Sequence, residues 1–239
     1  MKISIIVPAF NEEKLLPGTL RAIRDSAIAF AESGWEWQTI VCDNNSTDRT
    51  GEIAREAGAI VVFEPVNQIS RARNAGAAVA AGEWLVFVDA DSLPGAPLFR
   101  AMADHLRDAR VIAGGCLVRQ DVESLAADAI TALWNRISST MRWVAGSFIF
   151  CRAAAFRELG GFSAEFFAAE ELDLSRRLKA LARQRGQRLV IITEHRLLTS
   201  GRKLRLYSKR EQASLLLRSL FLPFLTLRRR QAFWYDGRR

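Results

Sequence analysis

At 239 residues the chain is long enough for one large domain or two closely packed halves with a substantial core. Its composition, 49% apolar and 25% charged, is that of a globular protein rather than a disordered or fibrous one. The net charge of +8 is confined to the C-terminus: residues 195–239 carry 12 Lys/Arg against 2 Asp/Glu, and residues 1–194 carry 22 against 24, which excludes a nucleic-acid-binding body.

Lys2 leads into an apolar run that Asn11, Glu12 and Glu13 stop, so the N-terminus reads as a first strand, Ile3–Phe10, and not as a signal peptide. Pro17 suits the first turn of a helix, and Leu16, Leu20, Ile23, Ala27 and Phe30 recur on one of its faces. A second strand, Trp35–Cys42, ends in the turn-rich run Asp43-Asn44-Asn45-Ser46-Thr47-Asp48, which opens a helix closed by Gly58. Ile60–Phe63 is a third strand, Ser70–Ala81 a helix of small residues, and Glu83–Val88 a fourth strand that ends in Asp89-Ala90-Asp91. Strands alternating with helices at this spacing predict an α/β fold, doubly wound around a mostly parallel sheet.

Further on, helices are expected over Pro97–Ala109, 123–141 and Glu170–Arg183, and strands over Val111–Val118, Gly146–Cys151 and Arg188–Thr193. The expected division is 1–118, 119–200 and a basic, partly apolar tail, 201–239, with both halves on one sheet. Cys42, Cys116 and Cys151 show neither a metal spacing nor a disulfide framework and read as reduced core residues of a cytosolic protein.

In a parallel sheet the ends of the first, second and fourth strands open onto one edge, where ligands bind. Asp89 and Asp91 placed there either hold a cation that holds a diphosphate, or merely cap a turn. No Gly-x-Gly-x-x-Gly or Walker loop follows any strand, which argues against a dinucleotide or P-loop site.

Four stretches in order resemble family 2 glycosyltransferases: Ile5-Ile6-Val7-Pro8-Ala9-Phe10-Asn11-Glu12-Glu13, Asp43 to Asp48, Ala72-Arg73-Asn74-Ala75-Gly76, and Asp89-Ala90-Asp91. The resemblance implies a GT-A fold, a nucleotide-diphosphate sugar donor, Mg²⁺ or Mn²⁺, and inversion at the anomeric carbon. It places Pro8, Ala9, Phe10 and Glu12 along the nucleoside pocket, Asp43 on the base, and Arg73 facing the nucleotide, with Arg71 a weaker candidate. Asp89 and Ala90 would belong to the nucleotide-sugar site, with Asp89 on the ribose or the metal's water shell, and Asp91 would ligate the metal. Glu170-Glu171-Leu172-Asp173 resembles the start of the acceptor-site helix. There Glu171 stands where most members have the Asp taken as catalytic base, and Glu170 is the alternative.

His195 follows the last expected strand, where it is either a further metal ligand or a structural residue. Arg202 and Lys203 are either diphosphate or acceptor contacts or surface charges. The run Leu215–Leu225, broken by Arg218 and Pro223, is too short to span a bilayer, which needs about 20 apolar residues. With Arg228–Arg230 and Phe233–Tyr235, segment 213–239 suits either an anionic membrane surface or packing on the body. The expectation is a cytoplasmic glycosyltransferase, peripheral on the membrane if the tail binds lipid, with a glycan or lipid-linked acceptor. Its rivals are a nucleotidyltransferase, which would need a Gly-rich loop after the first strand, and a non-catalytic nucleotide-sugar-binding protein.

Overall fold

The computed structural model describes residues 1–121, 125–144, 146–167 and 170–202. Segment 213–239 and Lys203, for which a membrane or ligand role is expected, lie outside the described residues.

The first half alternates as expected: β1 (Lys2–Ala9), α1 (Leu16–Ser26), α2 (Ile28–Ala31), β2 (Glu36–Asp43), α3 (Thr50–Glu56), β3 (Ile60–Phe63), α4 (Ile69–Ala78) and β4 (Trp84–Val88). Then follow β5 (Ser92–Leu93), α5 (Ala96–Leu106), β6 (Val111–Gln120), α6 (Leu125–Met141), β7 (Phe148–Arg152), α7 (Ala153–Glu158), α8 (Glu170–Gln184) and β8 (Arg188–Thr199). One eight-stranded sheet runs β3-β2-β1-β4-β7-β6-β8-β5. The pairs β3–β2, β2–β1, β1–β4 and β6–β8 are parallel, and β7 lies antiparallel to β4 and β6. The sheet is thus mixed and mostly parallel, with helices packed around it.

Strand residues alternate between two core layers, one on each face, because neighbouring side chains in a strand point to opposite faces. Ile5, Val7, Val86, Val88, Phe148 and Phe150 pack in the layer that holds Leu16, Leu20 and Ile23 of α1 and Phe99 and Met102 of α5. Ile6, Leu85, Phe87, Ile149 and Cys151 pack in the other, with Leu174 and Leu178 of α8. Burial on both faces explains why these strands read as unbroken apolar runs.

Two expectations change. The last strand does not stop at Thr193 but continues to Thr199, because its pairing with β6 resumes at Val118↔Leu197 after a bulge. The polar run Glu194-His195-Arg196 hid this continuation, since bulged residues turn to solvent and interrupt the strand pattern. His195 therefore lies within β8 and not after it. The first long helix also breaks, at Ala27, into α1 and α2.

Candidate active site

The chain order reverses across the sheet between β1 and β4, and the crevice opens beyond their carboxyl ends. Ala9 and Asp43 are register partners, so the ends of β1 and β2 are level. Beyond β1, Asn11 adopts a left-handed φ of 53°, a conformation Asn tolerates better than most residues. Its amide N–H donates to Ser46 Oγ at 3.0 Å, and its Oδ1 accepts from the Thr47 N–H at 2.8 Å. The Glu12 N–H donates to Thr50 Oγ1 at 2.8 Å, so the Pro8–Glu12 loop is stitched to the loop after β2. Pro8 and Ala9 are buried and Phe10 is half-buried.

Asp43 accepts the Ser46 N–H at 2.9 Å and lies half-exposed over the start of α3. Gly51 leaves room for this placement, since a Cβ there would meet Asp43 Oδ2 at 2.7 Å and the carboxylate would have to move aside. Asn44 donates to the carbonyls of Glu64 and Val66 and accepts the Gln68 N–H, holding the loop from β3 into α4. Gln68 in turn donates to the carbonyls of Ala164 and Phe166, tying the first half of the chain to the second.

Arg73, a candidate to face the nucleotide, is enclosed, only 1% exposed, at the junction of the two halves. One guanidinium nitrogen lies 2.9 Å from Asp89 Oδ1; another lies 2.7 Å from Glu170 Oε1 and 3.4 Å from Glu171 Oε1. The Phe162 ring stacks 5.2 Å from its centre. Burial would depress the Arg73 pKa, but the charges of Asp89, Glu171 and Glu170 outweigh it and raise the value. Three carboxylates around one cation leave excess negative charge. Burial, then repulsion from Glu171, pushes the Glu170 carboxyl above the usual range, against the pull of Arg73. Arg71, by contrast, sits at the surface and pairs with Glu64 at 3.0 Å.

The Asp89–Asp91 loop is fixed by its backbone. The Asp89 N–H donates to the Ser147 carbonyl at 3.2 Å, the Ala90 carbonyl accepts Thr19 Oγ1 at 2.7 Å, and the Asp91 carbonyl accepts the Ser200 N–H at 3.1 Å. Asp91 Oδ1 lies 3.5 Å from Thr199 Oγ1 at the end of β8. His195 is exposed on the β8 bulge, among the residues between Ile192 and Leu197 that have no register partner on β6.

Among the described residues, no three His, Cys, Asp or Glu side chains group closely enough to cage an ion. The half-buried Asp91 carboxylate nonetheless fits Mg²⁺ or Mn²⁺, because such ions commonly take one or two carboxylates and complete their shell with water and substrate phosphate.

Two further residues tie the surrounding loops together. Arg202 makes a two-pronged pair with the buried Glu12, at 2.7 and 3.1 Å, and the charge of Asp91 also acts on it. Asn74 accepts the Phe162 N–H and donates to its carbonyl, clamping the turn that leads towards α8. Its neighbours in Arg73-Asn74-Ala75-Gly76 are the signal for Asn74, to which the sequence assigns no role; Arg202 is already a candidate contact or surface charge in the sequence, and the structure places it on Glu12.

The sequence model of Glycosyl transferase family 2 matches residues 4–159. The chain belongs to glycosyl transferase family 2. An uncharacterized glycosyltransferase of Mycobacterium tuberculosis is 32% identical over 113 residues, which are 47% of this chain and 47% of that protein. The chain thus spans about half the length of the curated relatives it matches first. The mannosyltransferase PcManGT from Pyrobaculum calidifontis, solved with GDP-Man and Mn²⁺, superposes with a TM-score of 0.65 at 22% identity, covering 90% of this chain and 60% of that one. A TarS fragment from S. aureus, solved with UDP-GlcNAc, gives a TM-score of 0.65 at 20% identity, over 84% of this chain and 58% of that one. The fold of this family 2 member is therefore GT-A.

Proposed function

We propose that this family 2 glycosyltransferase moves a sugar from a nucleoside-diphosphate donor to an acceptor hydroxyl, with inversion at the anomeric carbon and Glu171 as the base. The observation that carries the reading is the cluster of carboxylates around Arg73. Its guanidinium holds the nucleotide-side Asp89 and the two acids that start α8. Of those two, Glu170 is only 2% exposed while Glu171 keeps 19% of its side chain open, so Glu171 is the one that can reach an acceptor.

In this reading the loop Pro8–Glu12 and Asp43 border the nucleoside, with Asp89 and Ala90 beneath the donor. Arg73 acts as a positioning residue that aims Glu171. The Glu171 carboxylate takes the acceptor proton while that oxygen attacks the anomeric carbon and the nucleoside diphosphate departs. Asp91 would hold Mg²⁺ or Mn²⁺, which when bound neutralises charge on the departing diphosphate. His195 is left out of the ligand set because of its place on the bulge. The PcManGT and TarS complexes support the donor class. A lipid-linked or envelope glycan as acceptor, and a cytoplasmic site at the membrane, rest on the composition of segment 213–239. No helix among the described residues is long and apolar enough to cross a membrane.

Sugar transfer from a panel of UDP- and GDP-sugars, with and without Mn²⁺, tests the assignment. Glu171→Gln should lower transfer by roughly 10²–10⁴-fold while donor affinity stays within about threefold. Asp91→Ala should abolish the Mn²⁺ dependence of donor binding. Transfer at wild-type rates by both variants would refute the site.

A further inference from the structure

From residue 131 to 141, helix α6 is turned the wrong way round for a helix facing water. Its buried side chains between residues 131 and 141 are polar: Thr131, Asn135 and Ser138. Asn135 docks the helix on β6 by accepting the Val118 N–H at 3.1 Å and donating to the Val118 carbonyl at 2.9 Å. The apolar side chains point elsewhere. Leu133, Ile137 and Met141 recur every fourth residue in a stripe, and Leu133 and Met141 are 59% and 47% exposed. Half-buried Trp134 borders this stripe, its ring 6.4 Å from that of Trp143. A surface helix ordinarily shows the reverse arrangement.

The surroundings of the stripe are cationic. From Ala129 to Cys151 the chain carries Arg136 and Arg142 and no acid. The Lys179 ammonium donates to the Met141 carbonyl, at the end of the stripe. Arg183 and Arg142 stand close enough to repel it, adding to the effect of its partial burial. Apolar side chains, a tryptophan pair and clustered cations with no acid among them match the headgroup boundary of an anionic bilayer.

We propose that the α6 stripe seats the enzyme on an anionic lipid surface and delivers a lipid-anchored acceptor to the crevice. The described face, from Thr131 to Met141, is 11 residues, about 16 Å, which is three turns laid along the interface. Its C-terminal end leads straight to the site: the Val144 N–H donates to Ser175 Oγ of α8, and the Ser147 carbonyl accepts the Asp89 N–H. The seating stands on α6 alone, whereas the delivery of an acceptor rests on the glycosyl-transfer reading.

The test is co-sedimentation of the full chain with phosphatidylcholine vesicles, with and without about 30% phosphatidylglycerol. Wild type should bind the anionic vesicles, and Leu133→Glu/Met141→Glu should bind at least tenfold more weakly, with unchanged melting and unchanged transfer to a soluble acceptor. Arg142→Glu/Lys179→Glu should lose the preference for anionic lipid, which decides the matter even if the first variant misfolds. Wild-type vesicle binding by both variants would overturn the proposal and assign binding to segment 213–239. A wild-type dimer dispersed by Leu133→Glu/Met141→Glu, without vesicle binding, would overturn it in favour of a second copy of the chain. Vesicle binding without sugar transfer from any donor would uphold the seating and refute the glycosyl-transfer reading.

Discussion

Glu170 and Glu171 are adjacent and chemically identical, and they differ in burial, at 2% and 19% exposed. Glu170 is enclosed against Arg73, and burial raises its pKa above the value it has in the unfolded chain. The folded state then keeps a proton that the unfolded state releases. Stability from protonated Glu170 is complete below the usual carboxylate range and is lost as pH rises through the raised value. In the ligand-free enzyme, Glu170→Gln should remove this loss, because an amide oxygen can still accept from Arg73. The difference in melting temperature between variant and wild type should therefore shift in favour of the variant between about pH 5 and pH 8. A difference that stays flat across that range would mean that Glu170 is ionised throughout. The Glu171 carboxylate, one methylene longer than an aspartate, lies 3.4 Å from the Arg73 guanidinium.

At the level of elements, β6 and β7 depend on a missing side chain. A Cβ on Gly114 would lie 2.2 Å from Phe150 Cζ and 2.7 Å from Val190 Cγ2. The Phe150 ring has little freedom to move, since Trp84 and Phe148 pack against it. Gly114→Ala should cost about 1–3 kcal/mol. In a chain of this size that lowers the melting temperature by roughly 2–12 °C. Adding Phe150→Leu should restore part of the loss, and no restoration would locate the strain elsewhere. The expected strand over Val111–Val118 contains Gly114. Which ring it accommodates was not visible, because Phe150 comes from a strand that is antiparallel and 36 residues further on.

Across the whole molecule, α4 is the junction. Gln68 just before it, Arg73 and Asn74 reach the segment from Phe162 to Glu171, while the ends of β1, β2 and β4 form the other wall of the crevice. A donor bound there should stabilise the chain in a single transition. At a donor concentration 100 times its Kd the gain is about 2.7 kcal/mol. Thermal unfolding should show the Mn²⁺-dependent part of that gain in wild type and not in Asp91→Ala. An equal gain in the presence of EDTA would remove Asp91 from the metal site.

What the sequence determined by itself was local: apolar runs that end in Asn11, Asp43 and Asp89, the helices between them, and four motifs in the order of the family. These signals survive in sequence because a strand, its turn and its cap are read within about ten residues of one another. Tertiary structure decided the partners. It placed Arg73 against Glu170 97 residues away, closed Glu12 onto Arg202 190 residues away, inserted antiparallel β7 between β4 and β6, and carried β8 past its polar bulge. It also turned the apolar stripe of α6 outward, although the helix itself was expected. Charge and periodicity specify what a residue needs, a counter-ion or a dry neighbour, but not which distant segment supplies it.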